Sequence, residues 1–377
     1  ADHGADVVRV ESGSRPDVLR GNGPFKDGIP GIDRSQFFGD FNTSKRSLTL
    51  DLKSPDAIAI AKKLITWSDV LIESFAPGAM ARMGLDYETV RKLNPGLIMV
   101  STCLMGQTGP VASMAGYGYH AGAIAGYYEV TGWPDLGPSG PWVAYTDTIA
   151  PRFISALLAA ALDHRRRTGE GCFIDVAQIE TGLHFLSPEL LDLQVNGVEA
   201  SRIGNRSPYA APQGCYPCSG EDQWCAIAVD SDDQWRALCK EMGRADWLDD
   251  QTLTTTEKRI ARHDDIDAGI IEWTRDQDGR ELMARLQGVQ VPAGLVQRSR
   301  DLLIDPQLKA RNFYRRFEHQ EMGKVPYAGH QYSISGYDNA PRFAAPVLGQ
   351  HSFEVLSEIL GLSDEEIGQA FASGIVV

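Results

Sequence analysis

The chain has 377 residues, 43% of them hydrophobic and 23% charged, an ordinary globular composition with length enough for one large or two medium domains. Its formal net charge of −14 argues against nucleic acid as a bulk partner but leaves room for a local basic pocket. No run of eighteen apolar residues is present, so no membrane span or membrane partner is expected, and six scattered cysteines behind a start with no secretory leader read as reduced thiols of a cytoplasmic chain. That start, ADHGADVVRVE, lacks an initiator Met and runs almost directly into a strand, so further residues are expected upstream.

In chain order, VVRVE (7–11) and SLTLDL (47–52) read as strands. Ser54-Pro55-Asp56 then opens a helix to about Trp67, with a capping hydroxyl, a proline and an acid in its first turn. DVLIESF (69–75) is a strand, DYETVRKLN (86–94) a helix, and LIMVSTCL (97–104) a nearly all-apolar strand. A long helix is expected over 149–167, closing on Arg165-Arg166-Arg167 with Gly169 beyond it. FIDVAQ (173–178) returns as a strand. Apolar strands separated by helices predict an α/β domain with a parallel sheet covered on both faces, and its first part is assigned to residues 1–200.

The stretch VNGVEASRIGNRSPYAAPQGCYPCSGED (195–222) is rich in Gly, Pro and Ser and leads into a smaller α+β unit. That unit holds WCAIAV (224–229), helices at 231–242 and near 280–287, and the strand AGLVQ (293–297). Linker and small domain together take 201–325. From about 325 the chain reads as extended, and APVLGQHSFEVLSEILG (345–361) supplies a final helix, so 326–377 returns to the large domain.

Several chemical signals are missing. The glycines of SGSRPDVLRGNGP follow a strand without GxGxxG spacing or a helix directly behind them. No GxSxG elbow, HExxH or P-loop occurs, the eight histidines never fall at metal-ligand spacing, and Cys215-Tyr-Pro-Cys218 has no second pair; no metal is expected. What remains is Asp147, in VAYTDTIAPRF just ahead of the long apolar helix. As an N-cap it would contribute about 1 kcal/mol, and Pro151 would be tolerated in the first turn. The same N–H groups and the positive helix end can instead hold the carboxylate ionised as a nucleophile for an activated acyl group. The two roles are compatible, and spacing alone favours the cap.

The surrounding residues reverse that preference. YTDTIAPRFISALLAAALDHRRRTGEGCFIDVAQIETGL resembles the hallmark segment of the class III CoA-transferases, the CaiB/BaiF family: an Asp, an Ala/Leu-rich helix, a basic RTGxG turn, then a strand ending in D-[VL]-[AS]. Other family blocks come in the family's order: HGADVVRVE, NTSKRSLTLDLKSPD, DVLIESFAPGAMARMGLDYETVRKLNPGLIMVS, GQTGP, AGYGYHAGAIAG, GNRSPYAAPQGCYPC, VPAGLVQ and PVLGQHSFEVLSEILG. The resemblance covers essentially the whole chain.

It implies a CoA-transferase in which Asp147 attacks an acyl-CoA thioester and passes through aspartyl anhydrides and an aspartyl-CoA thioester. No cofactor is implied beyond coenzyme A, which arrives as acyl-CoA substrate. The family's CoA-contacting Phe and Arg fall on Phe75 and Arg82, with Ser74 where the family has Asn. Phe75 would stack adenine and Arg82 would fork a phosphate; read alone, they are a sheet-end aromatic and a solvated cation. Lys45 and Arg46 match a basic pair and are further phosphate candidates. Tyr117 matches an active-site tyrosine, and Gly204-Asn205-Arg206 a loop expected to close over the thioester. The implied architecture is a Rossmann-like large domain plus a smaller α+β domain, in an interlocked homodimer or paired with a second family domain. Two alternatives stay open. One is an α-methylacyl-CoA racemase, which pairs Asp with a His where Tyr117 stands here, His120 lying three residues on. The other is a non-catalytic or dependent domain of a larger transferase, since the family's chain begins earlier, with a strand and an AGP-type loop.

Overall fold

Every strand in the first half of the chain pairs in parallel. β1 (Val7–Glu11) lies beside β2 (Lys45–Thr49). β3 (Val70–Glu73), β4 (Ile98–Cys103) and β5 (Cys172–Ala177) form a second sheet with β4 in the middle. The central strand is buried from Ile98 to Ser101, as its unbroken apolar run requires. Parallel neighbours need a crossover, and the helix Tyr145–Thr168 lies in the one between β4 and β5. The structure, a computed structural model, describes residues 1–338 and 340–376.

The helix Pro55–Trp67 starts where Ser54 accepts the N–H of Asp56 at 3.3 Å. It buries Ala57, Ile60, Ala61, Leu64 and Ile65, one stripe at helical spacing. That stripe packs into a core with Leu48, Leu50, Leu97, Met99 and Leu356. A separate core belongs to the antiparallel sheet of β6 (Gln213–Cys218), β7 (Gln223–Ala228) and β8 (Ala293–Leu295). There Trp235, Leu238, Ile266, Ile270, Leu282 and Leu286 are buried together. The Cys215-Tyr-Pro-Cys218 motif lies in β6, and all six cysteines are free thiols. Among the described residues, no helix is long and apolar enough to cross a membrane.

The chain divides into two units, Ala1–Gly116 with Asp147–Thr181 and Leu302–Val377, and Tyr117–Thr146 with Gly182–Asp301. Residues 117–146 and 182–200, expected in the large domain, therefore group with the second unit, and 302–325 group with the first. In the first unit, an antiparallel hairpin, β9 (Tyr314–His319) with β10 (Gly323–Ala328), occupies a segment for which no strands were expected.

Helix limits also differ: the helix expected over 86–94 covers Tyr87–Val90. The helix expected from 149 begins at Tyr145, so Asp147 is its third residue and not its cap. The start moves back because Thr146 is fully buried, its hydroxyl donating to the carbonyl of Gly118 at 3.3 Å. Pro151 then lies inside the helix, where it has no N–H to give the carbonyl of Asp147. The final helix does not span 345–361. Pro346 and Gly349, the latter at φ +71°, keep the chain irregular up to Ser352. A further helix, Asp364–Ala372, follows, started by a capping box between Ser363 and Glu366.

Candidate active site

A cavity of about 1060 Å³ opens in the first unit. Its wall comes from the end of β1 and the following loop, from Leu50–Lys53 after β2, from the helix Pro55–Trp67, and from Phe75, Arg82 and Met83. Ligands of open parallel sheets bind beyond the carboxyl ends of the strands, and four cations that the sequence reading did not single out converge here: Arg9, Arg15, Lys53 and Lys62. The signal that marks them in the sequence is their place in or just beyond parallel strands and on the crossover helix. Arg82 makes the fifth. With Glu11, Asp17 and Asp51 as the acids of the lining, the cleft is a basic pocket on an acidic protein, suited to a phosphorylated ligand.

Arg9 is held from both sides, by Asp17 and by Glu11 at 3.5 Å. Glu11 is anchored from behind by the buried Arg20, which donates to its two oxygens at 3.0 and 2.9 Å, reaches Asp33 at 2.6 Å and stacks 3.6 Å over Phe38. Burial pushes the Glu11 carboxyl up, but the bonds and charge of Arg20, with the charge of Arg9, outweigh it and hold it below the usual carboxylate range.

Phe75 and Arg82, expected together, do lie on one wall. Gly78 takes the left-handed conformation (φ +78°) that turns the chain into the short helix Ala79–Arg82, and Met80 pins that helix inward. Phe75 is 46% exposed, and its N–H donates to Glu73 at 2.7 Å. Ser74 is exposed between them. Lys45 and Arg46 are not among the lining residues. The Lys45 ammonium donates to the carbonyl of Phe41 and to Asn42 at 2.9 and 3.0 Å, and burial lowers its pKa to about 8. Arg46 pairs with Glu354 at 2.6 Å and Asp6 at 3.3 Å.

Asp147 is exposed in the first turn of its helix, held there by buried Thr146, Ile149 and Ala150. An acid in a first turn faces the positive end of the helix dipole. In the second unit, Tyr117 is 59% exposed at the start of the helix Gly118–Ile124 and donates its N–H to Nδ1 of His120 at 3.1 Å. That bond engages the His120 ring in holding the helix start. The Gly204-Asn205-Arg206 loop is pinned at each residue. Gly204, at φ +64°, donates to the carbonyl of Gly132 at 2.7 Å, and a Cβ on it would come within 3.0 Å of the Trp133 indole nitrogen. The Asn205 carbonyl accepts from Gln213 at 3.2 Å, and Arg206 bridges Asp264 and Asp267 at 2.5 and 2.9 Å. Among the described residues, no group of three or more acids, histidines or cysteines is placed to hold a metal ion.

Residues 1–352 match CoA-transferase family III. A succinate–glutarate CoA-transferase of Agrobacterium fabrum is 33% identical over 361 residues, 95% of this chain and 90% of the relative. A succinyl-CoA–D-citramalate CoA-transferase of Chloroflexus aurantiacus is 29% identical over 378 residues, 100% of this chain and 92% of the relative. Among solved structures, a CAIB/BAIF family protein from Brucella suis superposes with a TM-score of 0.86 at 30% identity, over 95% of this chain and 93% of that one.

Proposed function

The chain belongs to CoA-transferase family III, and from that premise we propose that it moves coenzyme A from an acyl-CoA donor to a free carboxylic acid through a covalent intermediate on Asp147. The observation that carries this reading is the company Asp147 keeps: an exposed carboxylate at a helix start, in a unit that also holds a cationic cleft with an exposed aromatic ring.

In the scheme we draw, the Asp147 carboxylate attacks the donor's thioester carbonyl and CoA leaves as thiolate, giving an acyl–aspartyl anhydride. The thiolate attacks the aspartyl carbonyl, releasing the donor acid and leaving an aspartyl-CoA thioester. The acceptor carboxylate attacks that thioester to form a second anhydride, and the thiolate collects the new acyl group, restoring Asp147. Bonds of similar energy are exchanged at each step, so no further energy source is needed. Phe75 stacks the adenine and Arg82 takes a phosphate, joined by Arg9, Arg15, Lys53 and Lys62 from the cleft. Ser74 adds a hydrogen bond. Lys45 and Arg46, engaged by the chain's own acceptors, serve the fold in this scheme. By the resemblance alone, Tyr117, Gly204 and Asn205 are further candidates for contact with the substrate. We further propose succinyl-CoA and a dicarboxylic acid as the first substrates to try, after the relatives' names. The working assembly would be a cytoplasmic interlocked homodimer, or a pair formed with a second family domain, around a Rossmann-like large domain.

The test is to incubate the protein with acyl-CoA donors, trap with hydroxylamine and read the Asp147 peptide by mass spectrometry. A donor-dependent hydroxamate at Asp147 is expected, absent in Asp147→Asn, with transfer lowered at least about 10³-fold in that variant. Full transfer by Asp147→Asn would sink the covalent route. Exchange of an α-proton of a branched acyl-CoA into D2O, with no hydroxamate, would point to the racemase reaction.

A further inference from the structure

The carboxyl ends of β3, β4 and β5 carry a row of polar side chains that the scheme above leaves unused. Glu73 is in register with Ser101, and Ser101 with Asp175, so the three share one face of the sheet. Glu73 is 8% exposed and Ser101 2%. Glu73, withdrawn from water, needs a hydrogen-bond donor, and it and the exposed Asp175 each take one from a loop that leaves the strand ends. Asp175 accepts the N–H of Gln107 with both oxygens, at 3.1 and 3.0 Å. Glu73 accepts the N–H of Phe75 at 2.7 Å.

The second bond bears on ligand binding because of where it falls. It closes a tight ring across Ser74 and fixes the main chain at the residue whose aromatic side chain stands 46% exposed on the cleft wall. A ring on an untethered loop would sample many positions, and a ligand would have to order it on binding; a ring already fixed avoids that loss.

We propose that Glu73 is a positioning residue for coenzyme A, holding the Phe75 loop so that the ring is in place for the adenine before the ligand arrives. This rests on the CoA-transferase reading of the cleft. Glu73 itself touches no substrate: it acts through the main chain of Phe75.

The experiment is isothermal titration of coenzyme A into the full chain and its Phe75→Ala, Glu73→Gln, Glu73→Ala and Glu73→Ala/Phe75→Ala variants, with KM and kcat for an acyl-CoA measured beside it. Loss of the ring is expected to weaken binding about tenfold. Glu73→Ala should weaken it roughly five- to tenfold, and Glu73→Gln, which keeps an acceptor oxygen, by less than about twofold. The double variant should bind no more weakly than Phe75→Ala alone, because the Glu73 effect passes through the ring. For the Glu73 single variants the change should appear in KM more than in kcat. Should Glu73→Ala not fold, Glu73→Asp draws the oxygen back by one methylene while keeping the charge, and the same pattern is expected of it. Wild-type affinity in these Glu73 variants, or losses that simply add in the double variant, would overturn the positioning role. Wild-type affinity in Phe75→Ala would instead overturn the assignment of the cleft to coenzyme A.

Discussion

Asp17 competes, within the cleft, for the charge a phosphate would use. Its carboxylate occupies Arg9 while also accepting the N–H of Leu19 at 2.7 Å. Asp17→Asn keeps an oxygen for Leu19 and removes the charge, so Arg9 is released toward an anionic ligand. We expect coenzyme A to bind about threefold more tightly to this variant at low salt, with the gain shrinking as salt rises. Calorimetric titration at two ionic strengths reads it, and weaker binding would show that Asp17 holds Arg9 in its working position. Phe75 and Arg82, which line the same cleft, could be paired in the sequence because one compact motif carries both. Arg9, Arg15, Lys53 and Lys62 could not, because three separate segments meet only when β1, β2 and the helix Pro55–Trp67 are in place. Arg46 misled for the opposite reason. A basic residue beside a strand looks available until its partners, Glu354 and Asp6, are brought in from distant parts of the chain.

Individual elements followed their periodicity where burial was one-sided or complete. β1, β4 and the helix Pro55–Trp67 fell within a residue or so of the sequence reading. The hairpin of β9 and β10 escaped notice because YRRFEH and GKVPYA mix charges with apolar residues, and Pro326 sits within the second strand. Pro326 is tolerated there; its carbonyl accepts from Gln36 at 2.8 Å. The start of the Asp147 helix was misplaced because Thr-Asp-Thr followed by Pro is also the chemistry of a cap. One glycine at an element boundary has little freedom. Gly171, ahead of β5, donates to the carbonyl of Pro95 at 3.1 Å, and a Cβ there would stand 2.0 Å from the Leu97 carbonyl oxygen. Backbone cannot yield as a side chain can, so Gly171→Ala should cost about 2–4 kcal/mol. Chemical denaturation measures this, and a loss under about 0.5 kcal/mol would mean that the approach of β5 to β4 relaxes freely.

At the scale of the whole chain, the α/β class and the presence of a smaller second unit were legible, but its limits were not. Composition changes near 195–222, where the sequence reading drew its border. The units instead divide at 116/117, 146/147, 181/182 and 301/302, and the second of these falls inside the first turn of a continuous helix. No composition shift marks a border there, because both sides obey one helical pattern. The border also separates Thr146, buried in one unit, from Asp147 in the other. A side chain that anchors and a side chain proposed to react are thus peptide neighbours assigned to different units.

That interleaving has a consequence for cutting the chain. A protease acting near the fully exposed Trp142, in the Gly- and Pro-rich stretch before the helix, would leave two pieces, each with part of both units. The nicked halves should co-elute on gel filtration and separate only in denaturant; halves that part in native buffer would contradict this. Nor can a single stop codon or a single new start yield either unit whole. To the gene the two units form one indivisible stretch of coding sequence.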